Sequence, residues 1–346
     1  MRFSSIDDFL GPADRRFFGL GLKGVRHAIA PLSVGAPDGA RRGVAGLAEL
    51  SHPGEWSRQT SGMPFAPHID CLDALALTVQ LCEAYLLHTY GLDPAQRGRM
   101  WLRRYEFRAS AEERLTPGGF PVRASLIETV PAPRSLGGYV STFECRLATV
   151  RTWCTVEHEL TAIRSAPAVF GSAHEALGPG AERFHDEGYR RRSQRITEVT
   201  VRLPENRVEA AVSVEPDEDA GLRPADLGGA YHPSLSAIDC LAVQAQLGQV
   251  LLYQMDGAAK IDGGTLRIRR VVLSAQTPYQ PLAGPFRAFA ETHRSRLLTW
   301  GGGTWRTTRL VGHCQGIQAS LSLAHELPAA MLLTEARPRT VNTAFH

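Results

Sequence analysis

Acidic residues and histidines cluster at two places in the sequence, each directly before a long apolar segment. The two clusters consist of His68, Asp70 and Asp73, and of His232, Ser236 and Asp239. A carboxylate paired with a histidine can act as a general base, and the free N–H groups of a helix N-terminus can polarise a carbonyl. We therefore predict that Asp73 or Asp239 is a catalytic base, with His68 or His232 as its partner.

Helix capping offers a second interpretation of the same residues. Asp70 and Ser236 each stand three residues before an aspartate, the spacing at which two side chains satisfy the free backbone N–H groups of a helix start. Capping alone would account for both pairs, and capping and catalysis can coexist in one cluster. His68 lies five residues before the aspartate of its cluster and His232 seven, so the histidines are out of register. This favours one active cluster and one degenerate cluster.

A glutamine follows each cluster within the apolar segment. Gln80 and Gln246 each lie seven residues, about two helical turns, after the aspartate of their cluster, and so share its helix face. A buried amide needs several hydrogen-bond partners. We predict that the two glutamines, with Asp70 and Ser236, bind substrate by orienting a carbonyl or sugar hydroxyls. A polar bridge across a pair of helices is the alternative.

Other polar motifs carry weaker signals. His158-Glu159 and His325-Glu326 recur before the ends of two strand-like runs, where one side chain of each pair could face a pocket or occupy a structural edge position. Residues 312–316, GHCQG, match the spacing of a nucleophile elbow, but strand-like sequence lies on both sides instead of a strand and a helix. The six cysteines show no metal-binding spacing, and no phosphate-binding loop is present. We therefore predict neither a metal nor a cofactor.

The apolar segments that follow the two clusters are copies of each other. Residues 72–91 and 238–257 align without a gap, with the aspartates and the glutamines in register. Arg16-Phe17 likewise matches Arg183-Phe184 at a shift of 167 residues. Landmarks at a nearly constant offset indicate a duplicated domain.

The duplication divides the chain at an Ala/Gly/Pro-rich stretch. We place an N-terminal repeat at residues 1–165 and a C-terminal repeat at residues 180–330. Each repeat reads as a strand, a loop, one helix that is apolar nearly all round, and several strands. This order predicts an α+β fold, a tandem double hotdog in which two antiparallel sheets, joined edge to edge, each wrap a long buried helix. Too few helices lie between the strands for a doubly wound fold. Such a chain is a pseudo-dimer in itself and can also form a homodimer.

Composition narrows the class of protein further. The 346 residues are 43% hydrophobic and 21% charged, as in soluble globular proteins. A net charge of +3 does not favour a nucleic-acid binder. The N-terminus has no apolar signal core, and we find no apolar run of membrane-spanning length. We predict a cytoplasmic protein with reduced cysteines and with no membrane or nucleic-acid partner.

Two phrases of the sequence resemble a known family. SIDDFLGPADRRFFGLG at residues 5–21 and FHDEGYRRRSQRI at residues 184–196 resemble the avirulence protein D (AvrD) family, and the pattern is more distantly similar to the A-factor-type butyrolactone synthases. The resemblance implies synthesis of a syringolide-like acyl glycoside or butenolide. A β-ketoacyl chain, delivered as a thioester of a carrier protein or of coenzyme A, would be joined to a small keto-sugar such as xylulose, and a ring would then close.

Other functions suit the same predicted fold. A thioesterase would transfer the acyl group to water, and a β-hydroxyacyl dehydratase would use a histidine and an acid from opposite repeats, such as His68 with Asp239. A protein that binds an acyl ligand without catalysis would need the aspartates and glutamines only for capping and bridging. The sequence alone leaves these alternatives open, as it does the choice of active repeat.

Overall fold

The structure is a computed structural model that describes residues 1–35, 42–51, 68–110, 118–133, 137–161, 166–216, 224–257, 266–300 and 302–327. The helices are α1 (Asp7–Leu10), α2 (Cys71–Tyr90), α3 (Pro94–Arg99), α4 (Ala173–Leu177) and α5 (Ala237–Met255). The strands are β1 (Arg2–Ser5), β2 (Arg26–Val34), β3 (Gly43–Ser51), β4 (Trp101–Arg108), β5 (Phe120–Pro131), β6 (Gly138–Leu147), β7 (Val150–Glu159), β8 (Ala168–Phe170), β9 (Arg192–Arg202), β10 (Arg207–Pro216), β11 (Arg267–Ala275), β12 (Phe286–Trp300), β13 (Gly303–Cys314) and β14 (Ile317–Leu327).

The described strands form one antiparallel sheet of 14 strands. Its order is β1-β9-β10-β12-β13-β14-β11-β4-β7-β6-β5-β3-β2-β8. The α+β prediction is confirmed, and the strands that were predicted to form two sheets joined edge to edge belong to one continuous sheet. The two halves of the chain are continuous because β4 pairs with β11, from Arg108 opposite Arg270 to Arg104 opposite Ser274. We call this pairing the seam.

Each half of the sheet curves around one long helix. α2 packs against β2 to β7, and α5 packs against β9, β10, β12, β13 and β14. Both helices begin with a capping box, and α2 ends at Gly91, which adopts the left-handed conformation that glycine allows. Nearly every side chain of α2 and α5 is buried, which explains why the sequence showed no polar stripe.

The chain crosses between the halves at its start. Although β1 is N-terminal, it pairs with β9 in the half that is built mainly from the C-terminal part of the sequence. β8 lies within the Ala/Gly/Pro-rich stretch and pairs with β2 at the opposite end of the sheet. The two halves are therefore tied together at more places than the seam.

Within the described ranges, one helix is long and apolar enough to cross a membrane by length and composition. This is α2, with 20 residues, so the prediction that no apolar run reaches membrane-spanning length was wrong. In the structure 89% of its most apolar 18-residue window is buried inside the protein, so the sheet around it covers its apolar surface. A buried core helix passes the same test as a membrane helix because both are apolar on all sides.

Candidate active site

Asp239, at the start of α5, is fully buried and bonded through both carboxylate oxygens. Its Oδ2 accepts hydrogen bonds from Arg192 (2.9 Å) and from the backbone N–H (3.0 Å) and Oγ (2.7 Å) of Ser236. Its Oδ1 accepts from Gln194 Nε2 (2.8 Å). The capping box with Ser236 is therefore formed. A guanidinium and three other donors therefore hold this carboxylate in place.

Asp73, at the start of α2, has a different partner. It forms a capping box with Asp70, and its Oδ1 lies 3.0 Å from Nε2 of His27 on β2. Burial and the nearby Asp73 raise the pKa of Asp70 to about 6, while His68 acts in the opposite direction. His27 aligns with Gln194 of the second repeat, so the two helix starts are built on one plan with different side chains. Sequence reasoning missed His27 because it lies 46 residues before Asp73.

Gln80 and Gln246 are each bound by an arginine from the other repeat. Arg183 donates to Gln80 Oε1 (2.9 Å), and Arg16 donates to Gln246 Oε1 (2.9 Å). Each amide nitrogen donates to a backbone carbonyl next to that arginine, at 3.1 Å and 2.8 Å. The arginines belong to two equivalent segments, residues 13–24 and 180–191, which we call the crossing arms. These contacts join each long helix to the crossing arm of the other repeat, not to the other helix, and substrate binding by the glutamines stays a hypothesis.

A cleft opens at the seam, beside the first turn of α5. It lies between β4, β11, the second crossing arm and the segment that leads into α5. The side chains that matter for chemistry or access are Trp101, His185, Tyr231, His232, Ser236 and Leu273. The cleft is therefore lined by residues from both halves of the sheet and by one helix N-terminus.

His185 forms a buried pair with Asp226 in the wall of this cleft. Its Nδ1 lies 3.1 Å from Asp226 Oδ2, which also accepts the His185 backbone N–H at 2.9 Å. Burial acts to raise the pKa of Asp226, but the hydrogen bonds from His185 outweigh it, so the pKa is lowered and the carboxylate is ionised. Because a carboxylate only accepts, Nδ1 must carry the proton, and Nε2 keeps a lone pair that can take a proton.

His232 also lines the cleft, but its ring proton is on Nε2, whereas that of His185 is on Nδ1. Arg192 donates to its Nδ1 at 3.1 Å, and the rings of His232 and Phe184 lie 4.7 Å apart. Burial and the Arg192 charge lower the pKa of His232 to about 4, so the ring is neutral near pH 7. Because an arginine only donates, Nδ1 accepts and Nε2 carries the proton. His232 is therefore a hydrogen-bond donor, whereas His185 is an acceptor.

The first turn of α5 adds backbone donors to the same wall. Ser236 and Ala237 line the cleft, and Ser236 Oγ accepts the N–H of the residue three positions on. The preceding N–H groups of the first turn have no acceptor within the helix, and the helix dipole makes this end positive. A base, a neutral donor and a positive helix end together suit the attack of a hydroxyl on a carbonyl, or the removal of a proton beside one.

The two predicted clusters lie at two different helix starts. His232 and Ser236 line the cleft, with Asp239 beneath them, whereas His68, Asp70 and Asp73 lie at the start of α2. The pairing of His68 with Asp239, suggested for a dehydratase, stays a hypothesis.

Sequence reasoning missed His185 and Asp226. His185 aligns with Phe18 of the first repeat, so a search for repeated polar residues passes over it. Asp226 lies 41 residues further along the chain, in a loop that closes onto the crossing arm. The available signal was the phrase FHDEG at residues 184–188, in which a histidine stands where the first repeat has the aromatic Phe18.

The remaining motifs are structural in this fold. His158 is buried and bonded to Ser141 Oγ (2.7 Å) and to a backbone carbonyl, and His325 is buried 2.7 Å from Asp256. Residues 312–316 join β13 to β14 through a tight turn, which confirms that they are not a nucleophile elbow. A Cβ on Gly312 would lie 1.8 Å from Gln244 Oε1, so packing requires that glycine. Across the described ranges, no group of three or more His, Cys, Asp or Glu residues is placed to hold a metal ion.

Comparison with known proteins gives one family and several distant structures. The family model described as Pseudomonas avirulence D protein (AvrD) matches residues 1–328. No curated protein matches the chain.

Three solved structures illustrate the structural likeness. A tesB protein of Mycobacterium avium subs paratuberculosis has 10% identity and a TM-score of 0.36, covering 83% of this chain and 92% of its own. A protein with a hot dog fold from Alicyclobacillus acidocaldarius has 11% identity and a TM-score of 0.33, covering 85% and 95%. A 12:0-ACP thioesterase from Umbellularia californica has 12% identity and a TM-score of 0.34, covering 74% and 87%.

Proposed function

The chain belongs to the AvrD family, and from that premise we propose that it is a cofactor-free acyltransferase and condensing enzyme. It joins a β-ketoacyl thioester to a small keto-sugar such as xylulose and gives an acyl glycoside or a butenolide. The observation that carries the proposal is the His185–Asp226 pair, which presents a basic ring nitrogen beside neutral His232 at the start of α5.

The acyl transfer requires a base, an oxyanion site and a proton donor for the leaving thiolate. His185 Nε2 takes the proton of a sugar hydroxyl, whose oxygen attacks the thioester carbonyl carbon. The first-turn N–H groups of α5 and the Nε2–H of His232 stabilise the negative carbonyl oxygen. The C–S bond then breaks, and the proton held by His185 passes to the sulfur. Asp226 stabilises the imidazolium between these steps, as the acid of a catalytic triad does.

Ring closure can use the same base. The carbon between the two carbonyls of a β-ketoacyl ester is acidic, and His185 can remove its proton. The resulting carbanion attacks the keto carbon of the sugar, and the alkoxide so formed takes the proton back. Loss of one water molecule then gives the unsaturated ring of a butenolide. His185 thus acts as base and acid in turn.

The sheet supports a further interpretation of the fold. We interpret each half, a curved antiparallel sheet around one buried helix, as a hotdog repeat, so that the chain is a double hotdog and a pseudo-dimer in itself. In this interpretation, the cleft at the seam lies between the two repeats, where a dimer of single hotdog subunits would share a site. We also propose a cytoplasmic location, since all six cysteines are buried and unpaired.

The direct test is mass spectrometry of the protein incubated with a β-ketoacyl thioester, with and without xylulose. A sugar-dependent product with the mass of acyl plus pentose supports transfer, and loss of a further water supports ring closure. His185→Gln should lower the rate by about 10²–10⁴-fold, the usual effect of a general base, with unchanged thermal stability. His313→Gln is the matched control, because His313 stacks on Phe289 away from the cleft.

Other outcomes would assign a different function. Free acid formed at one rate with or without xylulose would indicate a thioesterase, in which His185 activates water. Conversion of a β-hydroxyacyl thioester to its unsaturated form would indicate a dehydratase. A bound acyl ligand without turnover would indicate a binding protein. Full activity of His185→Gln would rule out the proposed base.

A further inference from the structure

A row of arginines crosses the outer face of the sheet. Every arginine of the row is exposed, and on β5, β6, β7 and β13 it stands between two buried residues, as the alternation of a strand requires. The register pairs these positions directly from strand to strand. The row consists of Arg123, Arg146, Arg151, Arg108, Arg270, Ser322, Arg309 and Arg294, in sheet order from β5 to β12.

The row has the dimensions of a protein interface. Eight neighbouring strands at about 4.8 Å spacing give it a length of roughly 30 Å. Arg108 and Arg270, on either side of the seam, have side chains that are 52% and 46% exposed. Arg108 and Arg151 lie 4.8 Å and 5.9 Å from the centre of the Trp153 ring, which holds their guanidinium groups against the sheet.

Among the residues that the structure describes, few carboxylates balance this charge near the seam. Arg108 and Arg270 each approach Glu106 to 2.9 Å, and Arg104 lies 3.5 Å from it. Partial burial alone would raise the pKa of Glu106, but the surrounding arginines lower it, so it is ionised. One carboxylate therefore serves three guanidinium groups, and the seam keeps an excess positive charge.

Arginines also outnumber the carboxylates that pair with them on β6 and β7. Arg146 and Arg151 share Glu144, each at 3.8 Å. The side chains of these two arginines are 65% and 53% exposed, whereas that of Glu144 is 23% exposed. An approaching partner meets guanidinium groups first.

The positive face continues into the cleft. Arg104 lines the cleft and lies opposite Ser274, which lines it as well. Two residues along the same strands, Glu106 and Val272 are paired, and the row of arginines comes next with Arg108 and Arg270. The row therefore lies four residues, about 13 Å along β4, from the part of the cleft that Arg104 lines.

We propose that this face docks an acidic acyl carrier protein, which delivers the thioester to the adjacent cleft. The inference rests on the proposed function and narrows its thioester donor from coenzyme A to a carrier protein. Complementary charge speeds association and orients the partners. The interspersed glutamates favour a partner with separate carboxylates, because they would repel the continuous phosphates of a nucleic acid.

The test measures binding of a fluorescently labelled bacterial acyl carrier protein to the intact chain, with its phosphopantetheine arm attached. The double variant Arg108→Gln/Arg270→Gln should raise Kd by about tenfold, and added salt should weaken wild-type binding. Glu106→Gln should act in the opposite direction and lower Kd, because it removes negative charge and keeps every arginine. Arg287→Gln is the control, since Arg287 is 60% exposed and lies outside the row.

A second readout separates docking from chemistry. The double variant should lose kcat/KM with a carrier-bound β-ketoacyl thioester and keep it with the same acyl group on N-acetylcysteamine, which has no carrier to dock. Equal loss with both substrates would overturn the docking proposal. If no substrate is turned over, the proposed function fails, and the binding measurement still decides whether the carrier docks.

Two further results would contradict a carrier surface. Unchanged Kd in both Arg108→Gln/Arg270→Gln and Glu106→Gln would overturn the proposal. Tighter binding of a labelled RNA oligonucleotide than of the carrier, lost in the double variant, would assign the face to nucleic acid. A dimer seen by sedimentation that dissociates in the double variant would assign it to a second copy of the chain.

Discussion

Equivalent residues in the two repeats differ in what surrounds them. Asp73 and Asp239 occupy the same position in α2 and α5, and both belong to capping boxes. A histidine pairs with Asp73, whereas an arginine and a glutamine hold Asp239. Both aspartates therefore cap a helix, and they differ in the side chains that bind them.

Asp239→Asn should destabilise the protein strongly. It would leave the charge of Arg192, whose side chain is 9% exposed, without its counter-ion, at a cost of about 3–5 kcal/mol in the free energy of unfolding. Asp70→Asn should instead be neutral or stabilising at pH 7, because asparagine also caps helices and the folded chain no longer holds two adjacent carboxylates. Urea denaturation measures both. An Asp239→Asn protein of normal stability without activity would restore the hypothesis that Asp239 is the base.

The Asp70 effect should depend on pH. The folded pKa of Asp70, about 6, exceeds the usual 3.8, so the folded state binds this proton more tightly than the unfolded chain does. Relative to Asp70→Asn, the wild type should therefore gain stability as the pH falls from about 6 towards 3.8. A stability difference between the two proteins that does not change with pH would contradict this.

His232 should make stability depend on pH in the opposite direction. Its folded pKa of about 4 lies below the usual 6.5, so between these values the unfolded chain binds a proton that the native state does not. Stability is lost as the pH falls from 6.5 to 4, by up to about 3 kcal/mol. His232→Gln should flatten this part of the curve when urea unfolding is compared across the range. Parallel curves for the two proteins would show that the ring titrates normally.

At the scale of elements, the crossing arms exchange contacts between the repeats. The arm of each repeat places its arginine on the glutamine in the long helix of the other repeat, as Arg183 does with Gln80. Arg183 is also bonded to Asp186 and to the carbonyl of Gly178, so its charge is fully engaged. This exchange explains why the same Arg and Gln recur in both repeats without either reaching the cleft.

Gln80→Ala and Arg183→Ala should each cost about 2–4 kcal/mol, because each leaves a buried polar partner unsatisfied. The double variant should cost less than the sum of the two, since the residues are in contact. Chemical denaturation of the four proteins gives this coupling. KM for the sugar should be unchanged in Gln80→Ala, whereas a raised KM with normal stability would support the substrate-binding role first predicted for Gln80.

At the scale of the whole molecule, the two halves share one sheet. The seam, the β1–β9 pairing and the crossing arms all connect them, so neither half keeps its contacts when the other unfolds. Calorimetry should therefore show one cooperative transition whose calorimetric and van't Hoff enthalpies agree. Two transitions would mean that residues 1–165 and 180–330 unfold independently. Deletion of residues 2–5 should lower the single transition temperature, because β9 would lose its partner at the sheet edge.

Properties that depend on nearby residues could be predicted from the sequence. The two buried helices and their capping boxes follow from the apolar pattern and from residues three apart. The start of α5 was predicted to belong to a site for the same reason, since His232 and Ser236 lie in one short segment.

The tertiary structure alone decided the rest. His185 becomes a candidate base only because Asp226, 41 residues away, meets it beside the start of α5. The glutamines are bound by arginines 103 and 230 residues away, and the arginine row exists only because eight strands pair in one register. Such contacts depend on strand order and on the crossing of segments, and local residue patterns do not encode which distant strand becomes a neighbour.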